Sequence, residues 1–339
     1  MKIYDIKEDD YYLYTCAQLK AREKEFIEKT KLERMINSKS IDDLYKVFSE
    51  TVYSYLVDDI KEGNDFKVVN TCVYKDIFKF LSQRLKSEHL AIIDLLFMEE
   101  YIHNIKVIYK SQVLGTDLKD HYLELFDPYG LIISAIQSGS YRDVSPLSSE
   151  LVQKALKLKD EAKGMEAELE LEKYYMERLF KLVDKLESTI LTDYLKHKID
   201  IMNIKNINRS RFVGLDIKFE AFLLPNGFIE KNFFKAQEDE NSDYFVQSLQ
   251  ESDYEGIVRR GINSLFTYNT FASFEKNEDA FYLDFFDGLK YTVTNVEKIF
   301  YFFLRKKIEL EVLNIIFSGV LYDIDKSRLR HRAEVLDEN

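Results

Sequence analysis

Three stretches decide the fold: Tyr101-Ile102-His103-Asn104-Ile105, Asp200-Ile201-Met202-Asn203-Ile204 and Glu311-Val312-Leu313-Asn314-Ile315. Their asparagines lie 99 and 111 residues apart. The apolar residues flanking each one, Ile102/Ile105, Ile201/Ile204 and Val312/Ile315, are three apart, a spacing that puts both members on one helical face turned to the core. An asparagine beside such a stripe is costly if buried alone, so each is expected to hydrogen-bond a neighbouring helix or turn. Downstream, the first two copies stay aligned. Lys110-Ser111-Gln112-Val113-Leu114-Gly115 begins six residues after its Asn, and Arg209-Ser210-Arg211-Phe212-Val213-Gly214 does the same. The third copy departs here and reaches Gly319 five residues after Asn314.

A second element precedes each asparagine. Tyr53 lies 51 residues before Asn104, Tyr141 lies 62 before Asn203, and Tyr254 lies 60 before Asn314. Nine and five residues ahead of these tyrosines stand the apolar pairs Leu44/Phe48, Ile132/Ile136 and Phe245/Leu249, each on one face of a short helix. Ile27-Glu28-Lys29 and Ile229-Glu230-Lys231 precede Tyr53 and Tyr254 by 26 and 25 residues. Two elements recurring three times in one order predict an all-α chain of three similar helical domains. Tyr53, Asn104, Tyr141, Asn203, Tyr254 and Asn314 define the repeat in structural roles. The units run over 1–128, 129–228 and 229–339, with boundaries good to about ten residues and the terminal helices free to pack together. Units of this length are far from the roughly 34 to 47 residues of common helical solenoids, the alternative being a helical-repeat scaffold or adaptor of another complex.

Composition agrees with helix. The 339 residues are 46% apolar and include only 11 Gly and 3 Pro, too few turn-formers for a many-stranded β architecture. Trp is absent, so aromatic packing falls to 23 Tyr and 25 Phe. The formal charge of −12 argues against nucleic acid and against broad adhesion to anionic lipid, and favours a basic protein partner. Cys16 and Cys72 match no disulfide or metal-ligand spacing, which makes the reducing cytosol the expected compartment. Met1 to Asp10 has no apolar signal-peptide core, and no stretch reaches the about 18 apolar residues of a membrane span. Val312 to Tyr322 comes closest and is interrupted by Asn314, Ser318 and Gly319.

Locally, Tyr11 to Met35 reads as one long helix, and Ser40 caps a helix in an approximate capping box with Asp43. Ser87 to Tyr109 carries Leu90, Ile93, Leu96 and Phe97 on a helical face. Leu147 to Lys196 is the longest helical stretch, with Gly164 its only glycine and a charged arm or hairpin over Lys154 to Glu172. Asp127-Pro128-Tyr129-Gly130 and Pro225-Asn226-Gly227 are turns, and Glu238 to Asp243 is an acidic loop.

Catalytic and ligand-binding chemistry finds no constellation. Glu100 and His103 have the Glu-x-x-His spacing of a di-iron bundle, but the second repeat has Ile199 and Met202 there and the third has Leu310 and Leu313. A helical metalloenzyme built on this pair therefore lacks its ligand set, and His103 is expected to be exposed or locally bonded. Asp193 and His197 read as a surface ion pair. Asp42-Asp43 and Asp58-Asp59 read as solvated helix ends, and Arg259-Arg260 and Arg328 to Arg332 as solvated faces. No P-loop, GxGxxG or HExxH is present, so no catalytic, cofactor-binding or metal residue is assigned.

These residues also carry a resemblance. Tyr12-Leu13-Tyr14-Thr15-Cys16-Ala17-Gln18-Leu19-Lys20-Ala21-Arg22-Glu23 resembles the opening helix of the C-subunit family of bacterial and archaeal V/A-type ATPases, whose eukaryotic counterpart is the d subunit. Asp200-Ile201-Met202-Asn203-Ile204-Lys205 is similar to its central Asp-x-x-Asn-hydrophobic-Lys motif. Leu224-Pro225-Asn226-Gly227 resembles its turn, with Asn226 where glycine is usual. Glu311-Val312-Leu313-Asn314-Ile315-Ile316 followed by Gly319 resembles its C-terminal signature. The resemblance implies a funnel of three helical domains that receives the central shaft and sits on the membrane rotor ring. It implies a non-catalytic, cytoplasmic central-stalk part of the rotor, peripheral to the membrane through the ATPase complex, without cofactor and without a membrane span of its own. Ion transport, of protons or sodium, would be coupled through it to ATP hydrolysis or synthesis.

Overall fold

The computed structural model describes residues 4–63, 65–161, 164–214, 218–238 and 240–336. Among these residues every regular element is helical. In chain order the α-helices are α1 (Leu13–Arg22), α2 (Lys29–Ile36), α3 (Ile41–Phe48), α4 (Val57–Gly63), α5 (Lys67–Arg84), α6 (Ala91–Leu96), α7 (Met98–Leu114), α8 (Tyr129–Ser138), α9 (Pro146–Glu161), α10 (Met165–Asp184) and α11 (Thr189–Val213). They continue with α12 (Lys231–Lys235), α13 (Ser242–Ser248), α14 (Glu255–Tyr268), α15 (Ala272–Phe285), α16 (Val296–Leu321) and α17 (Lys326–Ala333).

The chain groups into two compact units. One joins Met1–Ile77 to Asn241–Asn339, and the other is Phe78–Glu240. In the first, α16 is the axis of the core. Asn295 caps its start by accepting from Lys298 N at 2.8 Å, and buried residues ring its whole circumference, as expected of a helix surrounded by others. α1, α2, α3 and α17 all pack on it. Gly319 lies inside this helix, where a Cβ would overlap the Leu329 side chain of α17. The glycine that leaves the repeat register is thus a close-approach site for a neighbouring helix, whereas Gly115 and Gly214 end α7 and α11 in left-handed conformation, at φ +64° and +69°. In the second unit α7 packs on α9 and α10, and α10 also on α6 and α11.

Several local expectations are met. Ser40 Oγ accepts from Asp43 N at 3.2 Å to start α3, and Gly164, at φ +58°, stands between α9 and α10, which pack together as a hairpin. Asp42-Asp43 and Asp58-Asp59 fall in the first turns of α3 and α4, where carboxylates complement the helix dipole. Asn226 takes φ +72°, a region that asparagine tolerates better than other side chains. Within the acidic stretch Glu238 to Asp243, Asp239 lies outside the described residues.

Four expectations are corrected. The turn expected over Asp127-Pro128-Tyr129-Gly130 is not formed, because Pro128 is the N-cap of α8 and Tyr129 and Gly130 already lie in its first turn. Tyr11 to Met35 is not one helix. The chain turns extended at Phe26 and Glu28, because Ile27 N donates to the buried Glu309 carboxylate at 2.6 Å instead of to a helical carbonyl. Asp193 and His197 are both buried on α11 and form no surface pair. Arg332 is also buried: its guanidinium bonds Asp279 and lies 3.7 Å from Glu311, tying α17 to α15 and α16.

Candidate functional site: clamps on the long helices

The repeated asparagines act on the chain that follows their helices. On α7, Asn104 donates from Nδ2 to the Leu123 carbonyl at 2.8 Å and accepts from Leu123 N at 2.9 Å. On α11, Asn203 does the same with Leu224, at 3.1 and 2.7 Å. Each amide therefore satisfies both backbone groups of one residue and replaces a missing strand or helix partner. Asn203 is the deeper of the two, and Asp200, one turn earlier, is fully buried beside it. The Asp200 carboxylate accepts from Phe228 N at 2.9 Å and from Ile229 N at 3.2 Å. Gly227 is required there, since a Cβ would overlap Asp200 Oδ1. Asp200, Asn203 and Gly227 thus form one clamp that closes residues 224–229 onto α11. Asn314 is half-buried, and among the described residues its side chain has no such partner.

The tyrosine positions divide in a similar way. Tyr53 N donates to Thr51 Oγ1 at 3.2 Å, while that hydroxyl donates to Phe48 O at 2.7 Å. Tyr254 N donates to Ser252 Oγ at 3.2 Å, and that hydroxyl donates to Leu249 O at 2.6 Å. Both phenols are buried. Tyr141 is half-buried and follows Gly139, which at φ +71° makes a different turn.

Sequence reasoning missed the strongest polar cluster. Glu309, Lys306 and Tyr53 are all buried. Glu309 Oε1 receives Lys306 Nζ at 2.8 Å and Tyr53 OH at 2.7 Å, and Oε2 receives Ile27 N. Lys306 also lies over the rings of Phe26 and Tyr53, at 4.6 and 5.1 Å. Burial and the Glu309 carboxylate hold the Tyr53 phenol well above its ordinary value. Nothing in Ile308-Glu309-Leu310 announces this role except an acid set between apolar neighbours.

Glu100 and His103 do not converge on a ligand. Glu100 is buried, and the His103 ring nitrogen meets the His121 carbonyl at 2.7 Å. Among the described residues no group of three or more His, Cys, Asp or Glu side chains could hold a metal ion, and no helix is long and apolar enough to cross a membrane.

One carboxyl carries a pH signature. Asp94 on α6 is half-buried near Tyr101, Tyr175 and Arg178, and Tyr175 OH donates to its carbonyl at 3.1 Å. Burial pushes its carboxyl up to about 6, against the opposing pull of Tyr101 and Arg178. The native state therefore holds more protons than the unfolded chain between about pH 4 and pH 6. This residue's contribution favours folding below that window and is lost as pH rises through it. Asp94→Asn should gain up to about 3 kcal/mol of stability at pH 7, shrinking toward zero at pH 4. Urea unfolding across that range checks this; a gain independent of pH would contradict it.

Comparison with known proteins follows the same helices. Residues 15–332 match the family described as ATP synthase (C/AC39) subunit. The chain is 20% identical to the C subunit of the A-type ATP synthase of Methanocaldococcus jannaschii over 342 aligned positions, covering 94% of this chain and 85% of that protein. It is also 20% identical to the C subunit of the V-type sodium ATPase of Enterococcus hirae over 318 positions, covering 93% and 95% of the two chains.

Proposed function

The chain belongs to the ATP synthase (C/AC39) subunit family, and from that membership we propose that it is the non-catalytic central-stalk link of a V/A-type ATPase. In this reading it joins the rotary shaft to the membrane rotor ring, so that ATP hydrolysis or synthesis in the head is coupled to ion transport. It lies on the cytoplasmic side and meets the membrane through the complex. The observation that carries the reading is a match to the family across nearly all of the helical chain.

The internal organisation supports it. The order of one or two short helices, two further helices and a long helix occurs as α8 to α11 and as α12/α13 to α16, and α2/α3 to α7 follows it with one more helix, α4, α5 and α6 standing before the long one. We take these as the three repeat units, over 1–128, 129–228 and 229–339. A torque-bearing part must not yield at its joints. Clamps such as Asp200 and Asn203 on residues 224–229, and Glu309 on Ile27, oppose local opening by making it expose several buried polar groups together.

Co-purification tests the assembly. Tagged protein drawn from its native membranes should bring down shaft, catalytic and ring subunits in fixed proportion by mass spectrometry. Recovery of none of them, under conditions that keep the ATPase intact, would contradict the proposal.

A further inference from the structure

A cavity of about 230 Å³ opens in the unit formed by the chain ends, between α1, the segment 287–290 and α16. Cys16, Leu19, Leu289, Tyr301 and Phe302 give it a largely apolar wall. Four cations reach it, Lys20, Lys290, Lys298 and Arg305, against two carboxylates, Glu23 and Asp287. That excess of positive charge is unusual on a chain of net charge −12.

The cations are not equivalent. Lys20 pairs with Glu23 at 2.6 Å and Lys290 with Asp287 at 2.7 Å. Lys298 donates to the Thr292 carbonyl. Arg305 is half-buried and stacks over Phe26 at 4.6 Å and Tyr301 at 5.8 Å. Among the described residues its guanidinium meets these rings and no carboxylate. Ring contacts hold a guanidinium by its faces and leave its N–H edge to donate, the edge that fits a carboxylate with two parallel bonds.

We propose that this cavity binds a small organic monoanion, a carboxylate attached to an apolar ring or branched chain of about ten heavy atoms. Arg305 takes the carboxylate, and Leu19, Leu289 and Phe302 take the apolar part. Lys20 and Lys290 are paired with carboxylates and Lys298 is held by a carbonyl, which leaves the Arg305 guanidinium to take the carboxylate of the ligand. The apolar wall favours an organic anion over an inorganic one. The site is independent of the stalk assignment and gives this chain a place for a small-molecule effector.

The test uses the full chain with phenylacetate, neutral phenylacetamide and inorganic phosphate as probes. Cys16 lines the cavity and Cys72 does not, so alkylation of the two thiols, resolved by peptide mass spectrometry at alkaline pH, reports occupancy with an internal control. Near-saturating phenylacetate should slow Cys16 alkylation about tenfold and leave Cys72 unchanged. Phenylacetamide and phosphate should protect neither. Arg305→Gln should weaken phenylacetate binding, measured by calorimetry, about tenfold or more, with Arg305→Lys intermediate. Should Arg305→Gln fail to fold, the acid–amide comparison on the unaltered protein still decides. Equal protection by acid and amide, protection by phosphate, or unchanged binding in a folded Arg305→Gln protein would each overturn the proposal.

Discussion

Asn203→Ala should cost about 2–4 kcal/mol of folding stability, whereas Asn314→Ala should cost less than about 1 kcal/mol, although the two residues occupy matching places in the repeated sequence pattern. The difference lies in what each side chain holds. Asn203 satisfies both the carbonyl and the amide of Leu224, and both residues are buried. Alanine leaves two backbone groups without partners in a site too enclosed for bulk water, and that desolvation penalty exceeds the worth of the bonds themselves. Asp200→Ala strips Phe228 and Ile229 of a charged acceptor, so a loss at least as large is expected there. Gly227→Ala attacks the same clamp from the other side. Urea midpoints with unchanged slopes would provide the measurement. Equal losses at Asn203 and Asn314 would show that the clamp contributes nothing beyond helix packing.

Glu309→Gln is the second large effect. It leaves the Lys306 ammonium inside the core against a neutral amide, and removing one partner of a buried pair costs about 3–5 kcal/mol. Replacing both, as Glu309→Leu with Lys306→Met, removes the buried charge with its partner and should recover most of that loss. The double variant still frees Ile27 N and the Tyr53 hydroxyl, so the break between α1 and α2 should loosen. Amide exchange at Ile27 should then quicken in both the single and the double variant. If the double variant is as unstable as the sum of Glu309→Leu and Lys306→Met measured singly, with no coupling between the two positions, the pair does not act as one unit.

What the sequence reveals and what it hides divides along physical lines. Helix content is legible because periodicity and the scarcity of Gly and Pro act locally. The asparagines are legible because they recur, but their partners at Leu123 and Leu224 are backbone groups, which leave no mark in side-chain identity. Gly319 is visible as a glycine, yet its purpose, room for Leu329 on a later helix, depends on packing across a turn. The break at Phe26 to Glu28 is hidden altogether. Charged residues there suit a helix, and the carboxylate that interrupts it stands 282 positions away. Likewise Asp193 and His197 look like surface residues until α11 is seen to be enclosed. The Arg305 cavity has no motif because its walls come from three separate segments.

The most direct test of the stalk assignment is coupling in membranes whose ATPase lacks this chain. ATP hydrolysis by the catalytic head should persist while ATP-driven ion uptake into vesicles is lost, and the purified protein should restore uptake when added back. Ion uptake that proceeds unimpaired without the chain would contradict its role as the link between shaft and ring.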